Sequence, residues 1–266
     1  MNIEPLTKKD LDQLAPLQPQ GWPDIKPALR FYLANPFCHA VKISKHDRMM
    51  GIGAGIVFGK TAWLAHIIVG PEFRGKGLAH KMVSHLLEKL TALECESVSL
   101  IATDLGYPIY EKAGFKKQTD YVFFKKEAPL APYPDSSHII AFSPDDQNEV
   151  FKLDQSVSGE DRRLILSGKV ETAWLYRENH RVAGIYLPDL GEGMIIAENS
   201  RAGTALMRKK YSAVGNAVLP VDNGAGIEFL MENGFTETLR AARMIWGKPF
   251  VWQPDQIYSR IAGKLG

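Results

Sequence analysis

Cysteine is scarce in this chain. There are two in 266 residues, Cys38 and Cys95, and neither sits in a C-x-x-C pair or at a metal-ligand spacing. That excludes a disulfide scaffold, and no metal site is expected; two reduced thiols in a cytoplasmic protein are. Excess charge is equally scarce. Thirty-two Lys+Arg stand against 30 Asp+Glu, a formal charge of +2, too even a balance for nucleic acid to be a main partner. No apolar run approaches the roughly 20 residues of a membrane-spanning helix. The opening MNIEPLTKKD lacks the basic head and apolar block of a secretory signal, so no membrane partner is expected either. What the chain does have is ordinary globular composition, 45% hydrophobic and 23% charged, which excludes disorder for most of its length.

The clearest break is KEAPLAPYPDSS, residues 126–137, where Pro129, Pro132 and Pro134 remove backbone donors and forbid a regular helix. Read as a linker over 127–137, it separates residues 1–126 from 138–266, each a viable domain size. The first half reads as mixed α/β. A short strand over 2–6 precedes Thr7, an N-cap candidate with Asp10 in the following turn. A helix over 25–33 follows, then strands at 38–43, 49–58 and 61–69. Met82, Leu86, Leu87 and Leu90 recur on one face of a helix over 78–93. A strand at 97–102, a helix at 108–113 closed by Gly114, and a strand pair over 115–125 complete it. The second half repeats the order, with strands at 173–176, 181–187 and 194–197, a helix from Gly203 to about Ala213, a strand at 217–221, a short helix ending at Gly234 and a last strand near 239–246. GYPIYEKAGF (106–115) aligns without gaps on GIEFLMENGF (226–235) at an offset of 120, matching two glycines and a phenylalanine. The expectation is two copies of one fold.

The chemistry concentrates in LAHIIVGPEFRGKGLAHKMVSHLLEKL, residues 64–90. An apolar strand ends at Val69, and Arg74-Gly75-Lys76-Gly77-Leu78-Ala79 leads into an amphipathic helix. Glycines there let backbone N–H groups approach an anion with no Cβ in the way. The helix start adds about half a positive charge, and Arg74 and Lys76 add cationic heads. A di- or polyphosphate is the natural ligand. The stretch is neither a Walker A loop nor G-x-G-x-x-G. It resembles the pyrophosphate-binding signature Q/R-x-x-G-x-G/A of the GNAT (GCN5-related) N-acyltransferases, with Arg74, Gly77 and Ala79 at the fixed positions. Tyr110-Glu111-Lys112-Ala113-Gly114-Phe115 resembles the same family's Y-x-K-x-G-F corner.

The resemblance implies an α/β fold of mixed sheet (α+β) in tandem GNAT copies, and acetyl-CoA as cosubstrate. It implies that Arg74, Gly75, Lys76, Gly77, Leu78 and Ala79 hold the pyrophosphate, and that Ile67, Ile68 and Val69 line pantetheine and the thioester. It also makes Tyr110 the side chain that protonates the leaving thiolate. The general base stays open among His66, the only titratable residue of its strand, Asp104 just past the next strand, a water chain, and an amine already partly neutral. Strand alternation puts His66 opposite Ala65 and Ile67.

In the second half, MIIAENSRAGTA (194–205) keeps Arg201 and Gly203 but not the signature spacing, Glu198 repels an anion, and Leu230 stands where Tyr110 does. This copy is expected to be degenerate and non-catalytic. Ser158–Leu164 and the closing Arg243-Met244 resemble two-domain bacterial GNATs of the YitH/HolE type, in which the partner domain shapes the acceptor site. That suggests a contact between Asp161, Arg162 or Arg163 and a charged acceptor. Trp22, Phe31 and Tyr32 in the first half are further residues for the acceptor side. The expected activity is acetyl transfer from acetyl-CoA to a primary amine of a small molecule by direct attack; a catalytically silent acyl-CoA-binding module is the alternative.

Overall fold

The computed structural model describes residues 2–46, 48–131 and 136–265. In chain order it contains β1 (Asn2–Pro5), α1 (Lys26–Ala34), β2 (Cys38–Lys45), β3 (Arg48–Phe58), β4 (Thr61–Val69), α2 (Leu78–Ala92), β5 (Ser97–Ala102), α3 (Tyr107–Lys112) and β6 (Lys116–Lys125). There follow β7 (Ile139–Ala141), α4 (Gln147–Ser158), α5 (Arg163–Leu166), β8 (Trp174–Glu178), β9 (Arg181–Leu187), β10 (Met194–Ala197) and α6 (Ser200–Tyr211). Last come β11 (Asn216–Pro220), α7 (Gly224–Glu232), β12 (Thr236–Gly247) and β13 (Ile257–Ser259). The fold is mixed α/β with two sheets. No helix among the described residues is long and apolar enough to cross a membrane, and no group of potential metal ligands occurs among them.

The chain forms two compact units, and their boundary does not follow the proline-rich segment. The first is Met1–Lys116 with Met244–Pro249; the second is Lys117–Arg243 with Phe250–Gly266. Of the expected linker, residues 132–135 lie outside the described residues. Leu130, just before them, is buried, and its N–H donates to the Tyr211 carbonyl at 2.8 Å.

In the first unit β1, β2, β3 and β4 run antiparallel in sequence order, and β5 pairs parallel with β4. The end of β12 lies next in this sheet; the Lys248 N–H donates to the Glu96 carbonyl at 2.9 Å. Helix α2 lies close on β3 because every second residue there is glycine. A Cβ on Gly53 would come 3.3 Å from Leu86 and 3.8 Å from Met82, and one on Gly55 3.0 Å from Leu90. Met82, Leu86 and Leu90 are fully buried, each contributing about 1.5–3 kcal/mol of burial. Three of the four residues predicted for this helix face, Met82, Leu86 and Leu90, fill the groove over the glycines.

In the second unit β7, β8, β9, β10 and β13 form one antiparallel sheet. The expected strand pair over 115–125 is a single strand, β6. No turn residue interrupts it, and its Tyr121–Lys125 portion pairs with Pro220–Asn216 of β11. Helix α6 begins at Ser200 rather than Gly203, because the Asn199 side chain caps it, accepting from the Ala202 N–H at 3.0 Å. Leu206, Met207 and Tyr211 of α6 are fully buried in a core with Ile195 and Leu219.

Candidate active site

Strands β4 and β5 pair only at Thr61–Trp63 with Ser97–Ser99. Beyond Trp63 the edge of β4 from Leu64 to Val69 has no ladder partner on the β5 side among the described residues. Unpaired strand edge of this kind accepts an extended ligand as an extra strand. At the same place β4 carries a bulge. Ile68 faces Ile52 and Ala65 faces Ala54, so His66 and Ile67 together oppose Gly53. His66 takes the left-handed conformation, φ +50°, which is uncommon for a residue with a side chain.

The bulge breaks the expected alternation and sends these two side chains to different surroundings. Ile67 reaches over Gly53, its Cδ1 2.8 Å from where a Cβ would be, beside α2. His66 reaches α1 instead. Its Nδ1 shares a 2.8 Å hydrogen bond with the Tyr32 hydroxyl, and its ring meets those of Tyr32 and Trp22 edge-on at 5.6 and 6.2 Å. Burial, with Cys38 nearby, holds the Tyr32 phenol well above its usual value, so it stays protonated. The sequence singled out Tyr32 and His66 separately. Nothing in it showed that they meet, because the contact depends on the bulge.

After Val69 the chain turns through Pro71–Phe73 into the glycine loop. Gly75 and Gly77 both have φ +73°, and no atom lies within 4 Å of a Cβ built on either. Their glycine requirement is conformational, not steric. The first turn of α2 receives no side-chain cap, which leaves backbone N–H groups available to an anion. Arg74 Nε donates to the Val69 carbonyl at 3.2 Å, and Lys76 Nζ donates to the Glu72 carbonyl at 3.3 Å while standing 5.7 Å over the Phe73 ring. Among the described residues neither cation pairs with a carboxylate. Gly75, Lys76 and Gly77 are exposed, Ala79 is half-buried, and Leu78 anchors the loop in a cluster with Ile43 and Met82.

Tyr110 lies on α3, which packs against α2. It is 9% exposed, with its ring 5.8 Å from Phe115. Burial pushes its phenol well above the usual tyrosine value. A Cβ on Gly106 would come 2.9 Å from the Tyr110 ring, so this glycine makes the space for it. The structure thus groups His66 with Tyr32 and Trp22, and Tyr110 with Phe115. Asp104 is exposed past the end of β5. In the second unit Leu230 is fully buried, Arg162 donates Nε to Asp154 at 3.1 Å in a buried pair, and Arg163 pairs with Asp161 at the surface. Arg162 is therefore committed within its own unit.

Residues 9–115 match the model of the acetyltransferase (GNAT) family. Over 261 residues the chain is 22% identical to an uncharacterized N-acetyltransferase, YitH, of Bacillus subtilis, covering 92% of this chain and 91% of that one. Two solved structures share the fold along nearly the whole chain. One is a candidate acetyltransferase from Pyrococcus horikoshii, with TM-score 0.84, 19% identity, and 100% and 95% of the two chains covered. The other is a GCN5-related N-acetyltransferase from Sphaerobacter thermophilus, with TM-score 0.65, 14% identity, and 95% and 98% covered. Glycine turn, open strand edge and family match coincide within residues 9–115, the part of the chain that matches the acetyltransferase (GNAT) family, and the likeness in fold extends along nearly the whole chain.

Proposed function

We propose that the first unit transfers an acetyl group from acetyl-CoA to a primary amine of a small molecule, by direct attack in a ternary complex. The observation that carries this is the parting of β4 from β5 beside the uncapped start of α2. An extended pantetheine arm fits the open edge of Ile67, Ile68 and Val69. A diphosphate fits the N–H groups of Gly75 to Ala79, with Arg74 and Lys76 at the rim. The amine nitrogen forms a bond to the thioester carbon, the carbon–sulfur bond breaks, the proton that the nitrogen then carries in excess passes to the departing thiolate, and backbone N–H groups of β4 stabilise the oxygen charge that develops.

Tyr110 faces the leaving sulfur in this reading. Its raised pKa keeps the proton in place, so it serves first as a hydrogen-bond donor to the thiolate, whose thiol has an ordinary value of about 8.5. His66, oriented by Tyr32, lies on the α1 side, where the incoming ammonium gives up a proton to it directly or through water. Residues 138–266 form a degenerate copy of the fold without chemistry of their own, since Leu230 has no proton to offer.

The test is a panel of small amines assayed for free-CoA release. Acceptor-stimulated release that falls in the Tyr110→Phe variant is expected. Tight acetyl-CoA binding with no acceptor-stimulated release would favour a silent binding module. No heat with acetyl-CoA in calorimetry would end the reading.

A further inference from the structure

The second unit holds its own version of the β4–β5 edge. By the internal repeat β10 corresponds to β4, and β11, offset by 120 residues from β5, corresponds to β5. Here the edge of β10 is not free. Strand β13 pairs antiparallel along it, Ser259 opposite Ile195 and Ile257 opposite Ile196. On its other side β13 is bonded to β11 and the turn after it. The Arg260 N–H donates to the Val218 carbonyl at 3.1 Å, and Asn223 Nδ2 donates to the Ile257 carbonyl at 3.0 Å.

The place where a phosphate would sit is also filled. Where α2 has no side-chain cap, α6 has Asn199. The register shift at Tyr258 turns its ring onto the first turn of α6, so that a Cβ on Gly203 would come within 2.3 Å of it. A polar latch holds the segment. Lys210 Nζ, whose ammonium form has three donors, reaches Ser259 Oγ at 2.6 Å and the Glu192 and Gly193 carbonyls at 2.6 and 2.8 Å. Arg260 Nε pairs with Glu192 at 3.0 Å. Ile257, Tyr258, Ser259 and Arg260 are all buried.

We infer that the segment Ile257–Arg260 is a built-in ligand: within the second unit it takes the strand position that the first unit offers to pantetheine, and it closes this copy of the fold to acyl-CoA. The chain therefore carries one carrier site, not two. The inference rests on the reading of the β4 edge as the pantetheine site. Two covered features make the closure more than loss of a motif. The open edge is paired, and the helix start is capped from within.

Hydrogen exchange read by mass spectrometry on the full chain tests this, with and without acetyl-CoA. In the free protein the amides of 257–260 are expected to exchange slowly, and to be unmoved by acetyl-CoA. Those of 64–79 are expected to slow on the order of 100-fold at 100 times Kd. Calorimetry gives a stoichiometry of one. Lys210→Met, outside the proposed catalytic unit, speeds exchange in 257–260 and leaves the turnover of the first unit unchanged. Protection at both 64–79 and 194–205, or a stoichiometry of two, would leave acetyl transfer standing and overturn the built-in ligand. Free-protein exchange at 257–260 as fast as in unstructured chain would overturn it too. No protection at 64–79 at any concentration would overturn the transfer reading itself, and the inference with it.

Discussion

Replacing Gly77 separates the conformational role of the glycine loop from mere space-filling. Its φ is +73°, and a Cβ built on it meets nothing within 4 Å. Alanine there causes no clash, so its entire cost is the left-handed backbone, about 1–2 kcal/mol for a residue with a side chain. The chain can absorb that cost in two ways. If the loop keeps its shape, the folded state loses about 1–2 kcal/mol, and Tm falls by about 2–4 °C for each kcal/mol in a chain of this size. If the loop relaxes to negative φ, its N–H groups turn away, and the same energy appears as a rise of about 5- to 30-fold in the Kd for acetyl-CoA. Gly59 is the control. Its φ is +63°, it too has open space around it, and it lies in the turn between β3 and β4, at the end of β4 remote from the loop. Gly59→Ala should lower Tm without touching Kd, whereas Gly77→Ala should lower Tm to a similar extent or, where the loop relaxes, raise Kd about 5- to 30-fold. Gly77→Asn should recover part of the affinity, because asparagine visits this conformation more readily. Calorimetry with acetyl-CoA and melting curves on all three variants decide it. Unchanged affinity in Gly77→Ala together with an unchanged Tm would refute the argument.

Tyr110→Phe should lower kcat with little change in acetyl-CoA affinity; an unchanged kcat when chemistry limits turnover removes Tyr110 from the reaction. Gly51→Ala should cost about 1–3 kcal/mol by overpacking, because its Cβ would come 2.7 Å from the backbone oxygen of Ile68, which has no side chain to swing aside; urea unfolding measures this. Tyr32→Phe should lower kcat severalfold without altering acetyl-CoA binding, and His66→Gln should do the same. Equal loss in the double variant would show that the pair acts as one unit. Burial pulls Lys210 down to about 7 against its ordinary 10.5, with Glu192 opposing and Arg260 reinforcing. A base with a depressed folded pKa gives up a proton that the unfolded chain keeps, so stability is lowest below about 7 and rises with pH toward 10.5. Lys210→Met should flatten that slope in melting curves taken across the window.

What could be read beforehand was local. Gly75 and Gly77 announced a turn because few other residues tolerate φ of +73°. Met82, Leu86 and Leu90 announced a helix face through their spacing. Neither depends on distant parts of the chain. The bulge at His66 was hidden, because TAWLAHIIV reads as an unbroken apolar strand and nothing local marks where alternation fails. The pairing of β6 with β11 was hidden as well, since the partners lie more than 90 residues apart. Strand β13 was invisible for a third reason. Three residues carry no periodicity, and their conformation comes from Lys210, Asn223 and β10. Asn199 was the one missed signal within reach, a good cap residue placed before an apolar-periodic stretch.

The first unit is not contiguous. Its sheet ends with Met244–Pro249 beside β5, and Ser97 donates its hydroxyl to the Lys248 carbonyl there. During synthesis the ribosome must add about 130 more residues after Lys116 before this piece emerges. At about 5–20 residues/s, that is a delay of roughly 6–25 s. Throughout it the nascent first unit presents a bare flank on β5. A stop codon placed at the proline-rich segment would make this flank permanent, and aggregation rather than a folded half-chain is the outcome to look for.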